Sequence, residues 1–163
     1  LEAGDEGMAN LLLKARASVQ AYDCEGRTPI MMAMDQHNRR LFTAIVEHGS
    51  SLDVVDKRGW NVVIYAIETG MLNQIIPLLV KLGDRVARII RAYDPQGRNA
   101  MHHAAQLLNA RASHDALRSL INLDQEAAAL GDCNGSTTVH MVAELGRLEA
   151  MQMLIDCFAQ VDF

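Results

Sequence analysis

The chain has 163 residues, half of them hydrophobic, and a net charge of −5. That is enough apolar material for one domain with a substantial core, and too much for an intrinsically disordered chain. The acidic balance sets aside a general nucleic-acid binder, and no apolar run approaches the roughly 18 residues that a membrane-spanning helix needs.

Aromatic residues make up only 4% of the chain, whereas Ala, Leu, Ile, Val and Met are plentiful. Small and unbranched side chains suit close helix packing better than a β-sandwich. The opening "LEAGDEGM" is acidic and has no basic segment of the kind that starts a secretory signal. Cys24, Cys133 and Cys157 are odd in number and widely spaced, so a reducing, intracellular setting such as the cytoplasm is expected rather than a disulfide framework.

Taken in chain order, residues 4–23 ("GDEGMANLLLKARASVQAYD") read as a helix, a loop and a return strand. At Asp23 the chain turns: "DCEGRTPIMMA" places Gly26 where a tight turn needs positive φ. Thr28 followed by Pro29 is an N-cap followed by proline at the first helical position. A second helix carries the stripe Leu41, Phe42, Ile45 and Val46 and ends at Gly49.

Asp56 opens "DKRGWNVVIYA" 33 residues after Asp23, and again two helical runs follow. Pro77 lies inside the second run and predicts a kink or a late helix start there; Gly83 closes it. The insert "GDRVARIIRAYD" spaces Val86, Ile89, Ile90 and Tyr93 as one helical face, predicting an extra turn or two. Asp94 opens "DPQGRNAMHHAA" and Asp132 opens "DCNGSTTVHMVA", each 38 residues after its predecessor. In the third unit, "NARASHD" at 109–115 is expected to lengthen the link between the two helices.

This pattern resembles the ankyrin repeat family, whose period is about 33 residues and whose signature is T-P-L-H-x-A. Thr28-Pro29-Ile30 and Ala33 match the signature, as do Thr137, Val139 and His140, with Thr138 in the proline place. Asn99, Met101, His102 and Ala104 match more loosely, and in the second unit Asn61-Val62-Val63-Ile64 replaces the motif while Gly59 and Ala66 remain. The expected fold is an all-α repeat solenoid of stacked helix-turn-helix units joined by β-hairpin loops. One domain over 1–163 divides into a partial unit at 1–22 and units at 23–55, 56–93, 94–131 and 132–163. Both ends interrupt a unit, so the chain is expected to be a piece of a longer array.

The resemblance implies no chemistry. It implies a rigid concave surface of hairpin tips and exposed first-helix positions, roughly 40 Å long for four units stacked at helix-packing distance. Carried over position by position, the partner-facing residues are Glu25, Arg27, Asp35 and Gln36 in the first unit. They are Lys57, Arg58, Trp60, Glu68 and Thr69 in the second, Gln96, Arg98 and Gln106 in the third, and Asn134, Ser136, Glu144 and Leu145 in the fourth. The implied partner is another protein or a peptide, with no nucleic acid, no membrane span, no cofactor and no metal. Two other roles fit the same pattern: a regulatory or targeting segment of a larger enzyme or channel, and a structural part of a large assembly contacted through 84–93 and 109–115.

Several residues invite sharper readings. His102, His103 and His140 suggest a metal site; the resemblance instead makes His102 and His140 buried scaffold residues bonded around Asn99 and Thr137. Cys24 and Cys133 lie at hairpin tips, where no base is expected to activate a nucleophile, and Cys157 falls on an apolar stripe. Lys81, Arg85, Arg88, Arg91 and Arg98, set against Asp84 and Asp94, read as the solvated face of a helix or as a dock for an acidic or phosphorylated segment. Trp60 is either a binding hot spot or packing over a neighbouring hairpin.

Overall fold

The computed structural model describes residues 18–159. The expected partial unit at 1–22 therefore lies outside the described residues as far as residue 17, as do residues 160–163. The described residues hold nine α-helices: α1 Pro29–Asp35, α2 Arg39–Glu47, α3 Val62–Glu68, α4 Leu72–Lys81, α5 Arg85–Arg91, α6 Ala100–Gln106, α7 Ala110–Ile121, α8 Thr138–Glu144 and α9 Leu148–Ala159. A 3₁₀ turn spans Gln125–Ala129. Helices α1, α3, α6 and α8 stack in one row, and the longer second helices lie behind them, with α7 against α9. This is the expected all-α repeat fold; β pairing among the described residues is limited to single antiparallel bridges, Val55 with Asn61 and Gly131 with Thr137.

The repeated Asp-x-x-Gly has a direct physical cause. In each hairpin the Asp Oδ1 accepts from the backbone N–H groups two and four residues on: Glu25 and Arg27, Arg58 and Trp60, Gln96 and Arg98, Asn134 and Ser136. The backbone closes the same loop, with the Asp N–H bonded to the carbonyl of the fourth residue and the Gly N–H to the Asp carbonyl. One carboxylate thus satisfies donors that the tight turn points inward. Gly97 has φ +77°, and a Cβ there would lie 2.6 Å from the Cys133 nitrogen of the next hairpin. Glycine is required both by the turn and by the neighbouring backbone.

Hairpins also bond to one another. Lys57 N–H donates to the Glu25 carbonyl at 2.9 Å, and Cys133 N–H donates to the Gln96 carbonyl at 3.0 Å. At the junction between them the equivalent residue is Pro95, which has no N–H to give. That joint is held instead by side chains, described below.

Apolar burial stabilises the stack more than these bonds do. Ile30, Met34, Ile64, Ile67, Ile75, Leu79, Ile90, Met101 and Leu117 are fully buried within one core that runs through all the units. Each such side chain contributes about 1.5–3 kcal/mol by leaving water, whereas a typical hydrogen bond between units contributes about 0.5–1.5 kcal/mol. No helix pair encloses its own stripe, so each unit needs its neighbours.

The two stretched units explain the degenerate motif. In the unstretched units the helix N-cap is Thr28 or Thr137; in the stretched ones it is Asn61 or Asn99. Each Asn Oδ1 caps its helix, accepting from Val63 and Ile64 or from Met101 and His102. Each Nδ2 then donates to the segment that follows the second helix of its unit: Asn61 to the Ile89 carbonyl of α5 at 2.7 Å, Asn99 to the Ala127 carbonyl of the 3₁₀ turn at 2.9 Å. The threonine caps make no such bond to a following carbonyl: Thr28 Oγ1 has no hydrogen-bond partner, and Thr137 Oγ1 pairs with His140 Nδ1.

Three expectations need correction. The insert does form a helix, α5, which buries Val86, Ile89 and Ile90, but Tyr93 is 73% exposed. The chain leaves the helix at Ala92 (ψ 136°), so the helical spacing no longer applies at Tyr93. Residues 109–115 do not lengthen the link between helices, because Asn109 caps α7 and the extra residues form that helix's first turns. Finally, of the two outcomes expected at Pro77 the late start does not occur: α4 begins at Leu72 with Pro77 inside it, on the exposed face, where the Asn73 carbonyl can turn to water.

The basic run is largely committed inside the array. Arg85 is ion-paired with Asp53, and Arg91 bonds Asp124 at 2.6 and 2.7 Å and Glu126 at 2.8 Å. Lys81 and Arg88 are exposed. The inserts thus tie successive units together along the back of the stack.

Replacing Asn99 by Thr keeps a capping oxygen and strands the buried Ala127 carbonyl. The expected loss is about 1–3 kcal/mol in urea unfolding, whereas Thr137→Asn, in an unstretched unit, gains no comparable bond.

Candidate binding surface

The sixteen candidate residues fall into two rows. Hairpin tips carry Glu25, Arg27, Lys57, Arg58, Trp60, Gln96, Arg98, Asn134 and Ser136. The C-terminal ends of the first helices carry Asp35, Gln36, Glu68, Thr69, Gln106, Glu144 and Leu145. None of the sixteen is buried, although the first helices they flank are mostly buried.

Some of these residues meet. Arg27 reaches Asp23 at 2.8 Å and Asp35 at 3.5 Å, so it braces the hairpin against the end of α1. Arg98 repeats the device, bonding Asp94 at 2.7 Å, Gln106 at 3.2 Å and Gln96 at 3.3 Å. Thr69 Oγ1 donates to the Tyr65 carbonyl at 2.7 Å. In the fourth unit Ser136 stands at the Arg27 and Arg98 position, so Asn134, Glu144 and Leu145 lack that brace.

The second unit is built differently. Arg58 bonds Asp56 Oδ2 at 2.9 Å and the Tyr65 hydroxyl oxygen at 2.6 Å, and its guanidinium lies 4.0 Å from the centre of the Trp60 ring. The Trp60 ring stands edge-on to Tyr65 at 5.8 Å and to His103 of the next unit at 5.3 Å. The indole therefore bridges the joint where Pro95 withholds a backbone bond, yet remains half-exposed on the surface. Packing over the neighbouring hairpin and display to a partner coexist at this residue.

Tyr65 and His103 occupy equivalent positions, nine residues after the hairpin Asp. Tyr65 O–H donates to Asp56 Oδ2 at 2.9 Å, and His103 Nε2 lies 3.2 Å from Asp94 Oδ2. Burial, reinforced by the Asp56 charge, pushes the Tyr65 phenol up to about 12. Burial alone would raise Asp56 and Asp94, but the turn N–H groups and the arginines outweigh it and hold both below the usual carboxylate range. Asp23 and Asp132 are also lowered, chiefly by the turn N–H groups of Arg27 and Ser136 respectively.

His102 is the expected scaffold residue. It is fully buried, its Nδ1 accepts from the Asn99 N–H at 3.1 Å, and its Nε2 donates to the Ser136 carbonyl of the next hairpin at 2.9 Å. Burial depresses its pKa, so the neutral ring is favoured. His140 keeps the local bond, with Thr137 N–H donating to Nδ1 at 3.2 Å, but it is exposed rather than buried. No described hairpin follows to cover it. Cys24 and Cys133 are exposed free thiols, and Cys157 is half-buried against the core.

Sequence reasoning missed Tyr65, His103 and the four hairpin aspartates as organisers of this surface. One signal was present: a polar ring nine residues after Asp in two units, where the other two carry Met32 and Met141.

A family model for ankyrin repeats (3 copies) matches residues 1–89, more than half of the chain. The chain belongs to the ankyrin repeat family. The match ends within α5, and the hairpins at Asp94 and Asp132 continue the same turn geometry beyond it. Ankyrin repeats are generally protein–protein interaction modules and generally non-catalytic. Among the described residues no helix is long and apolar enough to cross a membrane. No curated protein matches the chain.

The lowered hairpin carboxylates make stability depend on acid. A group whose pKa is lower in the folded chain stabilises it fully above the unfolded value of 3.8, and that stabilisation is lost as pH falls through the folded value. The urea midpoint is therefore expected to drop as pH falls from about 4 to 2. The drop should be smaller in Asp94→Asn. A midpoint that stays level through the acid range counts against these bonds.

Proposed function

We propose that this array is a non-catalytic interaction module that binds a protein or peptide segment across its hairpin tips and first-helix ends. The observation that carries the reading is that all sixteen candidate positions lie outside the core on a scaffold of the ankyrin family. Residues 1–163 are taken as one such domain, working inside the cell without a cofactor. A stable interface needs about 800 Å² per partner, which four adjacent units can supply.

The surface favours a protein over nucleic acid. Net charge is −5, and Arg27, Arg58 and Arg98 are each committed to a hairpin aspartate. Salt-dependent attraction to phosphate needs clustered cations that are free to neutralise it. Selectivity then falls to exposed side chains without such a commitment, among them Gln36, Lys57 and Asn134.

Arg58 and Trp60 are poor choices for a binding test, since both also hold the second joint. A cleaner variant combines Gln36→Ala, Lys57→Glu and Asn134→Ala; the control is Lys81→Glu with Arg88→Glu on the back of the stack. For a protein captured by the immobilised native array, calorimetry should give a Kd at least tenfold weaker with the first variant, equivalent to about 1.4 kcal/mol. The control should be unchanged. The opposite pattern would place the partner on the back face.

A further inference from the structure

His103 is a buried histidine set between two carboxylates. It is 3% exposed, yet both ring nitrogens face carboxylates from different places: Nδ1 lies 3.1 Å from Glu68 Oε1 at the end of α3, and Nε2 lies 3.2 Å from Asp94 Oδ2 in the third hairpin. A neutral imidazole has only one N–H. If that hydrogen serves Asp94, the Nδ1 lone pair is left against a carboxylate oxygen, and two acceptors are in contact. Only the imidazolium turns both contacts into hydrogen bonds, and each is then charge-assisted.

The two carboxylates are not equally free to respond. Asp94 is fully buried, fixed by Arg98 and by two turn N–H groups. Glu68 is 37% exposed in its side chain and can swing into water. Loss of the proton therefore opens the Glu68 contact and spares the Asp94 one. The other polar groups near the ring are already committed. Arg58 and Tyr65 are bonded to Asp56, and the adjacent His102 is bonded to Asn99 and Ser136. On the remaining elements packed against α6, the groups Arg85, Arg88, Arg91, Arg111, His114, Asp115, Arg118, Glu126, His140 and Glu144 make no bond to this ring.

We propose that His103 is a proton-operated clasp between the second and third repeats: protonated, it ties Glu68 to α6; neutral, it releases Glu68 into the groove. The clasp sits at the joint where Pro95 removes the hairpin-to-hairpin bond, so it acts where the stack has least backbone reinforcement. Its consequence for binding rests on the groove reading above. A partner that presents a lysine or arginine to Glu68 binds more tightly when the clasp is open than when it is closed.

The clasp is testable without a partner. Trp60 is the only tryptophan, and its ring centre is 5.3 Å from that of His103. An imidazolium at that distance quenches indole emission more than a neutral ring does. Trp60 fluorescence of the native array is measured from pH 8.5 to 5.5, with far-UV circular dichroism confirming an unchanged fold. The expected result is one single-proton transition with lower emission on the acid side. It is lost in His103→Gln. In the exposed-site variant Glu68→Gln it persists with its midpoint at lower pH, because an anion favouring the charged ring has gone. A flat native trace, a transition that survives in a folded His103→Gln, or an unmoved midpoint in Glu68→Gln would each overturn the clasp. Because these measurements use the array alone, their failure leaves the groove reading to its own binding experiment.

Discussion

At the second and third joints the backbone of one hairpin tip presses so closely on the next that no side chain fits between them. At Gly97 a single added carbon would come within 2.6 Å of the Cys133 nitrogen, and at Gly59 within 2.9 Å of the Asp94 Cα. This approach sets the spacing of the units. With the tips in register, the Lys57 and Cys133 amides reach the preceding hairpin, and α1, α3, α6 and α8 line up to share one core. The stretched units keep the same spacing because their extra residues are placed elsewhere, in α5 and at the start of α7, while Asn61 and Asn99 tie α5 and the 3₁₀ turn to the first helices.

The hairpin aspartate connects this scaffold to its surface. One carboxylate oxygen serves the turn, and the other, in three of the four units, holds an arginine that faces the groove. Side chains that look available in the sequence are therefore partly structural. Arg27, Arg58 and Arg98 shape the groove, while neighbouring uncommitted groups are left to recognise what enters it. The second joint carries the densest arrangement, where Arg58, Trp60, Tyr65, His103 and Glu68 replace one missing amide.

Most of the fold was legible from residues 23–33 alone. Asp, Gly, Thr and Pro there act within a few positions of one another, so local rules suffice, and the same rules recur at Asp94 and Asp132. The rest depends on bonds that local spacing cannot report. Asn61 looked like decay of a motif because its partner, the Ile89 carbonyl, lies 28 residues away. His103 looked like no more than one of three histidines suggesting a metal site, because its partner Glu68 lies 35 residues away. Tyr93 looked like core because helical spacing was extended past the real helix end. The candidate surface was legible as a set of positions, but not in its division between braced arginines and freer neighbours.

The dependence of the stack on the tip-to-tip approach can be isolated with two glycines of the same backbone conformation. Gly97 and Gly135 both have φ +77°, but a Cβ at Gly135 would meet nothing within 4 Å. Alanine at either site incurs the left-handed backbone penalty of about 1–2 kcal/mol. Only at Gly97 does it also push against the next hairpin, adding about 1–3 kcal/mol of overpacking. Urea unfolding of Gly97→Ala and Gly135→Ala is therefore predicted to show the larger loss at Gly97. Equal losses would mean that the hairpins do not press on one another, and the repeat spacing would need another cause.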